Sequence, residues 1–144
     1  MNIALWLART AERYPQQAAI AHGTDVWCDY AEFARRAART ASWLNAQGVQ
    51  PGDRVVLFLY NTPEYLPLIW GIWWAGAVAV PVNAKLHERE AAWIAGHSEA
   101  RLAFVDDERA SGLQQALREL NAATQVQADH AFMRQADGPQ LALQ

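Results

Sequence analysis

The apolar positions of this chain change period along its length, and each change marks an element. Between Asn2 and Tyr14, Ile3, Leu5, Trp6, Leu7, Ala8 and Ala11 recur at roughly helical spacing until Pro15 stops the run. Two short stretches, Ala18–His22 and Val26–Cys28, flank Gly23-Thr24-Asp25 and predict a β-hairpin. Asp29 then offers a carboxylate to the free N–H groups of a new helix, with Glu32 at capping-box spacing. Phe33, Ala34, Ala37, Ala38, Ala41 and Leu44 form one apolar stripe along it. Arg35, Arg36 and Arg39 fall largely on the other side, and Gly48 ends it.

After a turn at Pro51-Gly52-Asp53, in which Asp53 serves as a cap, the period is lost. Val55–Leu59 is a continuous apolar run, as expected of a strand covered on both faces. Thr62-Pro63 predicts a helix start, with Thr as N-cap and Pro at the first position, and Pro67 removes one hydrogen bond early in that helix. Gly76 stands where a helix ends in a residue of positive φ, and Pro81 suits an edge or strand end. Helices over Glu88–His97 and Gly112–Leu120 complete the alternation. The order predicts an α/β fold: a parallel β-α-β-α-β sheet with flanking helices, its strands at Arg54–Leu59, Val78–Val82 and Leu102–Val105. From Asn121 the pattern weakens to a strand at Thr124–Gln127 and a short helix at His130–Ala136. The reading is of an α/β region over 1–120 and a weakly patterned tail over 121–144.

Composition narrows the function classes. The 144 residues are 52% apolar, enough for one domain with a core. A net charge of −3 without a basic run argues against nucleic acid as a partner. Cys28 stands alone and cannot form an internal disulfide, which fits a reducing cytoplasm, and the N-terminus lacks the pattern of a signal peptide. Residues 65–84 carry no charge, and about 20 apolar residues can cross a bilayer. Pro67, Gly71, Gly76 and Pro81 interrupt that run, so it reads as a buried helix–strand pair, with membrane association as the alternative. Of the seven tryptophans, Trp70, Trp73 and Trp74 share one helix with Leu66, Ile69 and Ile72. That stripe is too wide for one helix face to bury. It predicts an exposed apolar patch or a protein contact, either self-association or docking of the rest of a larger enzyme.

Four local motifs carry a resemblance. DYAEF at 29–33 looks like a Thr-Tyr-x-Glu-Leu helix start with Asp29 in place of Thr. GVQPGDRVVLFLYNTPEY at 48–65 looks like a Gly-[Val/Ile]-x-x-Gly-Asp-x-Val strand and the helix after it. WWAGAVAVPVNAKL at 73–86 looks like an Ala-Gly-(Ala)-x-x-x-Pro-[Val/Leu]-Asn signature, and HSEARLAFVDD at 97–107 resembles the next strand. Together they resemble the N-terminal third of the AMP-forming acyl-CoA synthetases, the adenylate-forming ligases. The resemblance implies an ATP-dependent carboxylic acid–CoA ligase acting through an acyl-adenylate, using ATP, Mg and coenzyme A. In that family the next element is a Gly/Ser/Thr-rich loop with a Lys that holds the ATP phosphates. The sequence reaches Gln144 about where that loop is expected, so the chain alone is expected to be inactive and to need no cofactor of its own. The residues that shape the acyl pocket lie mostly later still, so fatty, aryl and small dicarboxylic acids are all compatible.

The resemblance assigns one site residue. Lys85 occupies an Asn-x-[Arg/Lys]-Leu position near the phosphate end of coenzyme A in some members, and a cation suits a phosphate there. No catalytic residue is assigned. The histidines His22, His87, His97 and His130 are widely separated, without the i, i+4 pair of a helical zinc site, so no metal site is expected. His87 reads as a weak helix cap, and Asp106-Asp107-Glu108 as a solvated strand end. The alternative to a ligase fragment is a noncatalytic α/β association module.

Overall fold

The computed structural model describes residues 1–128 and Leu143. The described chain divides into two compact units, one built mainly from Met1–Pro51 with Asn61–Ala77, the other from Gly52–Tyr60 with residues 78–128.

The first unit holds helix α1 (Ala4–Arg13), the antiparallel hairpin β1 (Ala18–His22) and β2 (Asp25–Asp29), helix α2 (Tyr30–Ala46) and helix α3 (Tyr65–Trp74). Asp29 caps α2 as expected, its Oδ1 accepting from the Glu32 N–H at 2.8 Å. The Glu32 carboxylate turns outward to Arg35, Arg36 and Arg39. The apolar face of α2 meets α3 at close range, because a Cβ on Gly71 would lie 2.3 Å from Thr40 Cβ. Leu7, Ile20, Cys28, Phe33 and Ala37 form a core against which Trp27, Trp70 and Trp74 pack.

Helix α3 departs from its expected start. The Thr62 carbonyl accepts from the Tyr65 N–H at 3.1 Å, but the cap position is Glu64 and no side chain caps the helix. Pro63 and Glu64 turn first, so Pro67 falls in the first helical turn, where an N–H has no partner within the helix to lose. The helix is 10 residues long. No helix among the described residues is long and apolar enough to cross a membrane. Trp70, Trp73 and Trp74 are all half-buried, Trp70 meeting Phe33 and Trp73 edge-on at centroid distances of 6.1 and 5.2 Å. The strongly exposed tryptophans lie elsewhere, at Trp6 (56%) and Trp93 (58%).

The second unit holds strands β3 (Arg54–Phe58), β4 (Val78–Pro81), β5 (Leu102–Val105) and β6 (Gln125–Ala128), with helices α4 (Glu88–His97) and α5 (Ala110–Glu119). The sheet is parallel throughout, in the order β4-β3-β5-β6. Val56 faces both Val80 and Ala103, which fixes the register of the centre. Strand alternation puts Val56, Phe58, Ala103 and Val105 on the face covered by Ala91, Ala92 and Ala95 of α4 and Leu113, Ala116 and Leu117 of α5. Val55, Leu57, Leu102 and Phe104 on the alternate face are also fully buried, which accounts for the unbroken apolar runs. β4 lies on the edge and stops at Pro81, while β6 extends the sheet from within the weakly patterned tail. The expected helix at His130–Ala136 lies outside the described residues.

Candidate functional site

In a parallel sheet the carboxyl ends of the strands leave the hydrogen-bonded ladder together, and ligands bind where the strand order reverses direction. Here the chain steps outward from β3 to β4 and then returns to β5 on the other side of β3, so the reversal lies between β3 and β5. Phe58 ends β3, Asp106 follows β5, and the turn Asn83–Leu86 follows β4.

One side chain joins these three ends. Arg109 closes a short 3₁₀ turn (Asp107–Arg109) ahead of α5 and is 8% exposed. Its Nη1 donates to the Ala84 carbonyl at 2.6 Å, and its Nη2 donates to Asp106 Oδ2 at 2.6 Å and to the Phe58 carbonyl at 3.4 Å. The guanidinium carbon lies 3.9 Å from the Phe58 ring centroid and 4.4 Å from that of Tyr60, so the cation is held against aromatic faces. Asp106 Oδ2 also accepts from the Tyr60 N–H at 3.3 Å. Burying a charge of each sign is tolerable because the pair is close and hydrogen-bonded to its surroundings.

The structure thereby corrects the reading of the acidic cluster. Asp107 and Glu108 are exposed, but the Asp106 side chain is 15% exposed and bound to Arg109, so it is not a solvated strand end. Arg109 itself carried no signal in the hydrophobic pattern. The available cue was Asp106 three residues before it, directly after an apolar strand, a spacing that a helical turn brings into contact. The same turn moves the start of α5 back from Gly112 to Ala110.

Lys85 is exposed, on a turn anchored from both sides. Its N–H donates to Asn83 Oδ1 at 2.9 Å, and the Leu86 N–H donates to the Asn83 carbonyl at 3.1 Å. Two residues on, His87 is more than a weak cap. Its Nδ1 accepts from the Arg89 N–H at 3.1 Å, and the Glu90 carboxylate accepts from the His87 N–H at 2.9 Å, which closes a reciprocal cap on α4. This arrangement needs an unprotonated Nδ1, so the proton of the neutral ring sits on Nε2. His97 stacks on Trp93 at 4.8 Å, and His130 lies outside the described residues. Among the described residues no group of three His, Cys, Asp or Glu side chains is placed to hold a metal. Among the described residues the site therefore presents the exposed cation of Lys85 on a hydrogen-bonded turn.

The chain as a whole is similar to several known proteins. The chain is 44% identical over 81 residues to a feruloyl-CoA synthase from an Amycolatopsis species, across 56% of this chain and 16% of the other. It is 37% identical over 102 residues to the long-chain-fatty-acid–CoA ligase FadD13 of Mycobacterium tuberculosis, across 70% of this chain and 20% of the other. A benzoate CoA ligase from Burkholderia xenovorans LB400 superposes with a TM-score of 0.84 and 29% identity, over 99% of this chain and 29% of that one. The chain thus spans about a fifth or less of the curated relatives just described. A family described as AMP-binding enzyme matches residues 7–142, and the chain belongs to that family.

Proposed function

We propose that this chain supplies the N-terminal α/β portion of an ATP-dependent carboxylic acid–CoA ligase that acts through an acyl-adenylate, and that Lys85 contacts a phosphate of coenzyme A. The observation that carries this reading is the family match over residues 7–142, and the relatives named as CoA ligases support it. Lys85 fits a phosphate by charge and exposure, and its turn is held by Asn83 and Arg109. The complete enzyme would use ATP and Mg as well, and would work in the cytoplasm.

The residues of this chain do not fit the ATP phosphates. Attack of a carboxylate on the α-phosphate needs cations and backbone donors placed around the phosphates and the departing pyrophosphate. The 144 residues contain no Gly-rich phosphate loop, and Lys85 is their only lysine. The lone chain is therefore expected to give no ATP–pyrophosphate exchange above a no-enzyme blank with a panel of fatty and aromatic acids. Exchange that co-purifies with the chain would overturn this. Calorimetric titration with coenzyme A tests the Lys85 contact: Lys85→Ala should weaken binding about threefold, the worth of an exposed charge pair. Equal affinity in both forms would sink it.

A further inference from the structure

We infer that Arg109 is the positioning residue of the Lys85 turn, a role that rests on the proposed coenzyme A contact for its purpose but not for its geometry. The argument lies in one peptide plane. The Ala84 carbonyl and the Lys85 N–H belong to the same planar amide. Arg109 Nη1 holds the carbonyl end at 2.6 Å, and Asn83 Oδ1 holds the N–H end at 2.9 Å. A plane held at both polar ends is restrained from rotating, and the Leu86 N–H bond to the Asn83 carbonyl at 3.1 Å restrains the plane that follows, so the two together set the direction in which the Lys85 Cα–Cβ bond leaves the backbone. Asn83 is local to the turn and moves with it. Arg109 is 25 residues away in sequence, and is itself held by Asp106 Oδ2, by the Phe58 carbonyl and between the Phe58 and Tyr60 rings. It therefore ties the turn to the carboxyl ends of β3 and β5 at the point where the strand order reverses.

A lysine at position 109 keeps the charge but offers its donors from a single nitrogen, so it does not reproduce the separate Nη1 bond to Ala84 and Nη2 bonds to Asp106 and Phe58. The test uses the 144-residue chain and its Arg109→Lys and Lys85→Ala variants. Amide hydrogen exchange is followed at residues 83–86, with the amides of Leu113 and Leu117 in α5 as internal reference. Arg109→Lys should speed exchange in the turn by about tenfold, the loss of one hydrogen bond to a charged donor, and leave the α5 reference unchanged. Lys85→Ala should leave both unchanged. Turn exchange equal to wild type, or acceleration spread equally over the turn and α5, overturns the inference, the latter because it marks a merely structural role.

Coenzyme A titration separates this inference from the reading it rests on. If both variants weaken binding and the double variant is no weaker than Lys85→Ala, Arg109 acts through Lys85 and both ideas stand. If only Lys85→Ala weakens binding, the positioning role falls while the phosphate contact survives. If neither variant changes affinity, the phosphate contact falls, and the exchange result alone decides whether Arg109 fixes the turn.

Discussion

Gly71 and Cys28 show how much a single position in the first unit depends on its surroundings. A methyl group on Gly71 would sit 2.3 Å from Thr40 Cβ and 2.4 Å from its Cγ2, and Thr40 is held on its own helix by a 2.9 Å bond from Oγ1 to the Arg36 carbonyl. Gly71→Ala is expected to cost about 3 kcal/mol in urea unfolding, and adding Thr40→Gly should recover part of it, because the clash vanishes with the Thr Cβ. Strict additivity of the two losses would refute the close-crossing account. Burial raises the Cys28 thiol above its ordinary value, with Arg36 opposing and Glu32 and Asp29 reinforcing, and burial likewise raises Tyr65. Both acids keep their protons longer in the folded chain than in the unfolded one. Their contribution to stability is whole below the unfolded thiol value of about 8.5 and is lost as pH rises through the folded values. The urea midpoint should therefore fall as pH rises from about 8.5 to about 10, and fall less in Cys28→Ala. A midpoint that rises with pH over that window would contradict the sign.

Helices α2 to α5 share one way of stopping. In each, the residue after the C-cap takes positive φ: Gly48 at 85°, Gly76 at 77°, Glu99 at 52° and Asn121 at 53°. The N–H that follows reaches back to the helix, as Ala77 does to the Ile72 carbonyl at 3.0 Å and Ala100 to the Ala95 carbonyl at 2.9 Å. Glycine makes this stop legible in sequence, which is why the ends at Gly48 and Gly76 could be read. Glu99 pays a steric penalty there, and its carboxylate recovers only a distant 3.6 Å contact with Arg54. Glu99→Gly should accordingly raise stability by about 0.5–1 kcal/mol. Asn121→Gly should gain less, since Asn tolerates this region. Equal or reversed effects in thermal unfolding would show that the ends are held by something other than backbone conformation. The start of α3 departs from the sequence pattern for a related reason: Thr62-Pro63 has the right residue types, but whether a side chain caps depends on the path of the preceding backbone.

Across the whole molecule, position in the sheet decides what a residue is worth. Val56 and Val78 both sit in apolar runs, yet Val56 is fully buried on the central strand β3 and Val78 is 47% exposed on the edge strand β4. Val56→Ala should cost about 2 kcal/mol and Val78→Ala no more than about 0.5, measured by urea unfolding. Similar losses at both would mean that the edge is covered in solution. Among the described residues the sequence by itself determined most of the elements, though not the starts of α3 and α5, since period, turn residues and helix stops are local and each can be checked within a few positions. It determined the parallel α/β class too, because strands separated by helices have few other arrangements, and it determined the family, because four motifs in order are specific together. Strand order, the pairing of β6 with β5 and the meeting of Phe58, Ala84, Asp106 and Arg109 were decided by the tertiary structure alone. These join residues far apart in sequence. A buried arginine is chosen by the carbonyls that happen to converge on it, and only the folded chain brings them together.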